Sequence, residues 1–154
     1  MKHFMVLGAK HEQIPLMVWA RNRGYRILAV DHSDNPAGRR HCDAYFQVSY
    51  RDVDSVLDIA SRCRVSGIGT IGTNDAICTV GTVNATLGLP GLYDSHDVLS
   101  RAAYKHLWRP LLEEHGFPVA RGRTCHTPGE LHVAAHDLGF PLLVKPGDAS
   151  GCKG

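Results

Sequence analysis

Pro141-Leu142-Leu143-Val144-Lys145-Pro146-Gly147-Asp148-Ala149-Ser150-Gly151-Cys152-Lys153-Gly154 is the stretch on which the reading of the whole chain turns. It opens on an apolar run, Leu142 to Val144, of a length that suits a buried strand. Lys145 follows at once, Pro146 stops the pairing, and Gly147, Gly151 and Gly154 space out a loop. Glycines let backbone N–H groups converge on an anion, and a lysine adds a full positive charge, so the stretch is suited to holding phosphate. The lysine precedes the glycines, so this is not the G-x-x-x-x-G-K-[ST] loop, in which it comes last. On spacing alone, a strand followed by a flexible tail reads equally well.

Outward from that stretch, 154 residues suffice for one domain with a real core, or for one domain and the start of another. A composition of 44% hydrophobic and 21% charged residues is that of a globular protein. The net charge of +2 is too small to argue for nucleic acid or an anionic membrane, and the arginines are scattered. Five cysteines with no C-x-x-C pair argue against a disulfide framework and fit a reducing cytoplasm. No signal-type apolar region precedes the strand-like run from Phe4, and no run approaches the roughly 18 apolar residues of a membrane span.

His3 to Ala9 reads as a buried strand, 12–23 as a helix with Pro15 in its first turn, and Arg26 to Asp31 as a second strand. Strand, helix and strand within about thirty residues imply a parallel sheet. Tyr45 to Val48 is a third strand. Val53, Val56, Leu57 and Ala60 make a helical stripe capped by Asp52. Ser66 to Gly72 is a fourth strand, and Thr73-Asn74-Asp75 a cap-like turn into a helix ending near Leu87. These elements make residues 1–93 an α/β unit with a Rossmann-like parallel sheet. Ser95 to His115 reads as helix, kinked or split by Pro110. Val119 to Thr124 reads as strand, Thr127-Pro128-Gly129-Glu130 as a capping box, and Leu131, Ala134, Ala135 and Leu138 as the buried stripe of the next helix.

Three features together resemble the N-terminal part of an ATP-grasp ligase of the carbamoyl-phosphate-synthetase-like or biotin-carboxylase-like kind. They are Gly8 to Leu16 with Val30-Asp31, the Lys105-x-x-x-Arg109 helix leading to Gly116-Phe117-Pro118, and Gly139 to Pro146 followed by Ser150 to Gly154. The last is the most specific, and the resemblance spans the chain. It implies a pre-ATP-grasp domain over 1–93 and the first part of the ATP-grasp domain over 94–154. It further implies that Lys145 contacts the α- and β-phosphates of ATP and that Lys105 is a second nucleotide-facing cation. The loop with Ser150, Gly151, Lys153 and Gly154 would close over the β- and γ-phosphates. Gly8, Gln13 and Asp75 would face the acceptor substrate.

Such enzymes phosphorylate a small carboxylate with ATP and let an amine displace the phosphate, with Mg²⁺ bridging the phosphoryl groups. The family's Mg²⁺ ligands lie C-terminal to this loop, so the resemblance implies no catalytic residue within the chain and no turnover by these 154 residues alone. It leaves room for a homodimer. Two other readings stand beside it. One is a non-catalytic α/β module binding a small ligand or another protein. The other is a nicotinamide-binding Rossmann domain using Gly8 and Asp31, although Gly8 to Gln13 keeps only the first glycine of G-x-G-x-x-G. His132 and His136, four apart on one helix, have metal-compatible spacing, but no acid or cysteine completes a site with them.

Overall fold

Successive residues of a strand point to opposite faces, and β1 (His3–Leu7) buries both. Met5 and Leu7 pack on one side with Leu28, Val30, Val56, Ile59, Val80 and Val83. Val6 packs on the other with Met17, Ala20, Ile27 and Ala29. A strand apolar on both faces needs helices on both, which α1 (Ile14–Arg21) supplies on one side and α2 (Val53–Arg62) with α3 (Ile77–Leu87) on the other. The computed structural model describes residues 2–91 and 96–147. The chain divides into two compact units, Met1–Ser100 and Arg101–Gly154.

In the first unit, β1 pairs in parallel with β2 (Arg26–Asp31) and β4 (Val65–Gly69), and β2 with β3 (Ala44–Gln47). The order is β3-β2-β1-β4. The expected Rossmann-like parallel sheet is therefore present, and its direction of winding reverses between β1 and β4. Asp52 caps α2 as read, accepting from Ser55 N at 3.2 Å, and Gly88 ends α3 in the left-handed region at φ 62°. Asp43, just before β3, accepts from Ile27 N at 2.8 Å and from Arg21 at 3.0 Å. The bond from Ile27 outweighs burial and, with Arg21, holds its carboxyl below the ordinary range.

Several local readings need correction. The span read as a helix over 12–23 is a short 3₁₀ turn, His11–Gln13, followed by α1, with Pro15 in the first turn of α1 as expected. The Thr73–Asp75 turn does not cap α3 with a side chain. The N-cap is Ala76, and Asp75 is drawn instead to Arg51. The helix read over 95–115 is two helices, α4 (His96–Ala103) and α5 (Lys105–Glu114), but the break falls at Tyr104 and not at Pro110. Tyr104 is extended, at φ −104° and ψ 123°, and its carbonyl accepts from Leu107 N and Trp108 N to open α5. Pro110 withholds only the bond that the His106 carbonyl would receive, on an exposed residue that water can serve, so the helix runs through it.

In the second unit, neither 119–124 nor 142–145 forms a strand. A strand exists by its ladder, and these segments have no such partner among the described residues. Leu143 and Val144 are accordingly 83% and 65% exposed, not buried. In α6 (Pro128–Leu138) only Ala134 of the expected stripe is buried, and Leu131 is exposed. The amphipathic pattern is present, but little packs against it. Thr127 Oγ1 accepts from Glu130 N at 3.2 Å as a capping box requires. The reciprocal bond goes one residue further back, from His126 N to Glu130 Oε2 at 2.8 Å. Thr127→Ala should cost about 1 kcal/mol, read as faster amide hydrogen exchange in the first turn of α6.

Candidate functional site

In open α/β sheets, ligands gather outside the carboxyl ends of the strands where the strand order reverses. Here that point lies between the loop after β1 and the loop after β4. Gly8 leaves β1 at φ 90°, a conformation that favours glycine. A Cβ on Gly8 would stand 2.9 Å from Gln13 Cδ, and one on Gly72 would stand 2.7 Å from Glu12 Cβ. The two glycines thus let the 11–13 turn sit against both loops. Gln13 is 3% exposed. Its Oε1 accepts from Lys10 N at 3.0 Å, and its Nε2 donates to the Ile71 carbonyl. Thr70 Oγ1 crosses the same gap to the Leu7 carbonyl at 2.8 Å. Gln13 therefore ties the two loops together, with its amide engaged by backbone.

Asp31, at the end of β2, is 1% exposed and is not the loop carboxylate that sequence allowed. Its oxygens accept from Ala9 N at 2.8 Å and Ser33 N at 2.9 Å. Burial pushes its carboxyl up, but these bonds, with His32 nearby, outweigh burial and hold it below the ordinary value. Both oxygens are thus taken by backbone, where a nicotinamide-binding domain would offer an acid to a ribose. Tyr45 donates its hydroxyl to the Asp31 carbonyl at 2.9 Å and shares it with the Ser33 carbonyl. Burial and the nearby Asp31 raise that phenol.

Asp75 sits at the same edge, paired with Arg51 at 2.6 Å. Arg51 was not singled out from sequence. Nothing local links residues 24 apart; they precede the caps of α2 and α3, and the packing of those two helices on one face of the sheet brings them together.

In the second unit, Lys105 opens α5 and is half-buried, while Lys145 is exposed. Gly147 lies against the first turn of α5, where a Cβ would stand 3.5 Å from His106 Nδ1. The segment carrying Lys145 therefore adjoins the helix start carrying Lys105. Arg109 turns its guanidinium to the Ala120 carbonyl and over Gly122, so it braces the 117–125 segment. Ser150, Gly151, Lys153 and Gly154 lie outside the described residues. Among the described residues no three His, Cys, Asp or Glu side chains are disposed to hold a metal. His132 Nδ1 contacts the Pro128 carbonyl at 2.8 Å, and His136 is 91% exposed. No helix among the described residues is long and apolar enough to cross a membrane.

No family model matches the chain. It is 25% identical over 154 residues to a formate-dependent phosphoribosylglycinamide formyltransferase from Rhodococcus jostii, covering 97% of this chain and 37% of that protein. It is 25% identical over 134 residues to a carbamoyl phosphate synthase large chain from Deinococcus radiodurans, covering 84% of this chain and 13% of that one. The chain thus spans little more than a third of the first of these relatives and far less of the second. Among solved structures, an L-amino acid ligase from Bacillus licheniformis superposes with a TM-score of 0.72 at 18% identity, over 97% of this chain and 38% of that one. An ADP complex of N5-carboxyaminoimidazole ribonucleotide synthetase gives 0.69 at 18% identity, over 91% and 36%. In sequence the chain is similar to part of these two enzymes, and in fold to part of these two ligases.

Proposed function

We propose that the chain is the N-terminal portion of an ATP-dependent carboxylate–amine ligase working through an acyl phosphate. Residues 1–93 are its pre-ATP-grasp domain and 94–154 the start of its ATP-binding region. The observation that carries this reading is the approach of Gly147 to the His106 side chain, which supports a Lys145 segment lying near the helix start that bears Lys105. Two lysines and the N–H groups of a helix's first turn suit an anion, and a nucleotide's phosphates are such a ligand. The loop carrying Ser150, Gly151, Lys153 and Gly154 would close over it. The exposed Phe140, Leu143 and Val144 support the rest of the reading, because an apolar run of this kind is completed by further strands of a larger sheet.

In the proposed reaction a carboxylate oxygen attacks the γ-phosphorus of ATP and ADP leaves. An amine then attacks the acyl carbon, expelling inorganic phosphate and giving up a proton. The residues in hand contribute cationic positioning of the phosphates, which is most of what phosphoryl transfer asks of a protein. Mg²⁺ would bridge those phosphates when bound. Its ligands, in this reading, follow residue 154, where the resemblance to the ligases puts them. Gly8, Gln13 and Asp75 line the edge assigned to the acceptor, Gln13 by fixing its loops rather than by direct contact.

Hydroxylamine tests this, because it takes the place of the amine and traps an acyl phosphate as a hydroxamate. The reading frame carried past Gly154 should form hydroxamate from ATP and its carboxylate, and Lys145→Met should lower the yield by more than tenfold. The 154-residue chain alone should form none. Hydroxamate formed undiminished by Lys145→Met would remove Lys145 from the phosphate site.

A further inference from the structure

Between the buried side of α3 and the edge strand β4 lies a cleft of about 330 Å³ that the nucleotide reading leaves unused. Its volume is at the lower end of small-molecule sites, which run from roughly 300 to 1,000 Å³. Ile68, Ile71, Ile77 and Val80 give it apolar walls, and Thr73 and Asn84 are polar. None of the described residues lining it carries an ionisable side chain. Asn84 is 3% exposed, and its Oδ1 has no hydrogen-bond partner among the described residues. On its other side the amide packs under Gly91, where a Cβ would stand 2.4 Å from Nδ2.

A buried acceptor left without a donor is costly, so this oxygen stands out among the polar groups of the wall. The terminal torsion of asparagine is broad, and turning it breaks no hydrogen bond made by Oδ1. The turn would bring the oxygen towards the cleft that Asn84 already lines. With no ionisable side chain among the described residues of the wall, a carboxylate, phosphate or ammonium group entering it would lose hydration without recompense from them. An uncharged N–H or O–H donor on a short apolar body meets both conditions.

We propose that this cleft is a binding site for such a neutral group, a primary carboxamide being its simplest form, with Asn84 Oδ1 as the acceptor. The described lining lies within residues 68–91, and a neutral probe needs neither ATP nor the two lysines to bind there, so failure of this proposal is distinguishable from failure of the ATP-binding reading.

Isobutyramide and isobutyrate test it, because they share a shape and differ in charge and in N–H donors. With the 154-residue chain, isobutyramide should shift the methyl NMR signals of Ile68, Ile77 and Val80 saturably, and isobutyrate should not. Asn84→Leu should weaken the isobutyramide response roughly tenfold, the scale of one hydrogen bond within an apolar site. The wild-type methyl map decides the matter even where that variant folds poorly. Equal binding of the two probes, shifts confined to other methyl groups, or no saturable shift would each overturn the proposal. The last result would mean that the cleft holds water only.

Discussion

Gly38→Ala should destabilise the first unit by about 3 kcal/mol, although it adds a single methyl group. A Cβ at this position would stand 2.6 Å from the Ala9 carbonyl oxygen and 3.0 Å from its carbon. Both are backbone atoms. Neither side has room to yield, because Gly38 N donates to that same oxygen at 2.7 Å and Ala9 N is held by Asp31. Met17 Cε, 3.1 Å from the Cβ position, closes the remaining direction with a fully buried side chain. Gly38→Val should cost more. Urea denaturation followed by circular dichroism measures both, and a loss under 1 kcal/mol for Gly38→Ala would show that the Ala9 loop moves easily.

Asp31→Ala is expected to cost a similar amount, about 3 kcal/mol, because it strips the acceptor from two backbone N–H groups, Ala9 and Ser33, at once. This effect has a pH signature. The folded carboxyl titrates below its ordinary value of 3.8, so its contribution is complete above that pH and disappears as pH falls through the folded value. The stability gap between the native chain and Asp31→Ala should therefore be constant near neutrality and narrow in acid. Asp43 and Asp52 are lowered as well, and they weaken both proteins together in acid, so the gap isolates Asp31. A gap that stays constant down to the lowest pH at which both fold would remove the ionised carboxylate from the account.

The parallel sheet was legible because its signals are local. Strands β1 and β2 carry the apolar runs Phe4 to Leu7 and Ile27 to Val30, Gly24 lies in the turn from α1 to β2, and α2 carries its stripe directly behind its Asp52 cap. The second unit was less legible. An apolar run such as Leu142 to Val144 announces burial but not its partner, and without a neighbouring ladder it is neither strand nor core. Proline drew attention to residue 110, yet the helix restarts at Tyr104, where side-chain identity gives no comparable sign. At the candidate site the residue types were legible and their roles only partly so. Gln13 and Asp31 look from sequence like ligand contacts, yet their polar atoms serve backbone groups up to 58 residues away. Arg51 and Asn84 became visible only when packing set α2 beside α3 and α3 beside β4.

Equilibrium dialysis of ATP against the complete reading frame addresses the central claim without requiring the carboxylate or the amine to be known. The account predicts saturable binding that Lys145→Met weakens at least tenfold, with the melting temperature unchanged, since Lys145 is exposed and its loss should not disturb packing. A folded protein that binds no ATP, or one whose affinity is the same after Lys145→Met, would contradict it.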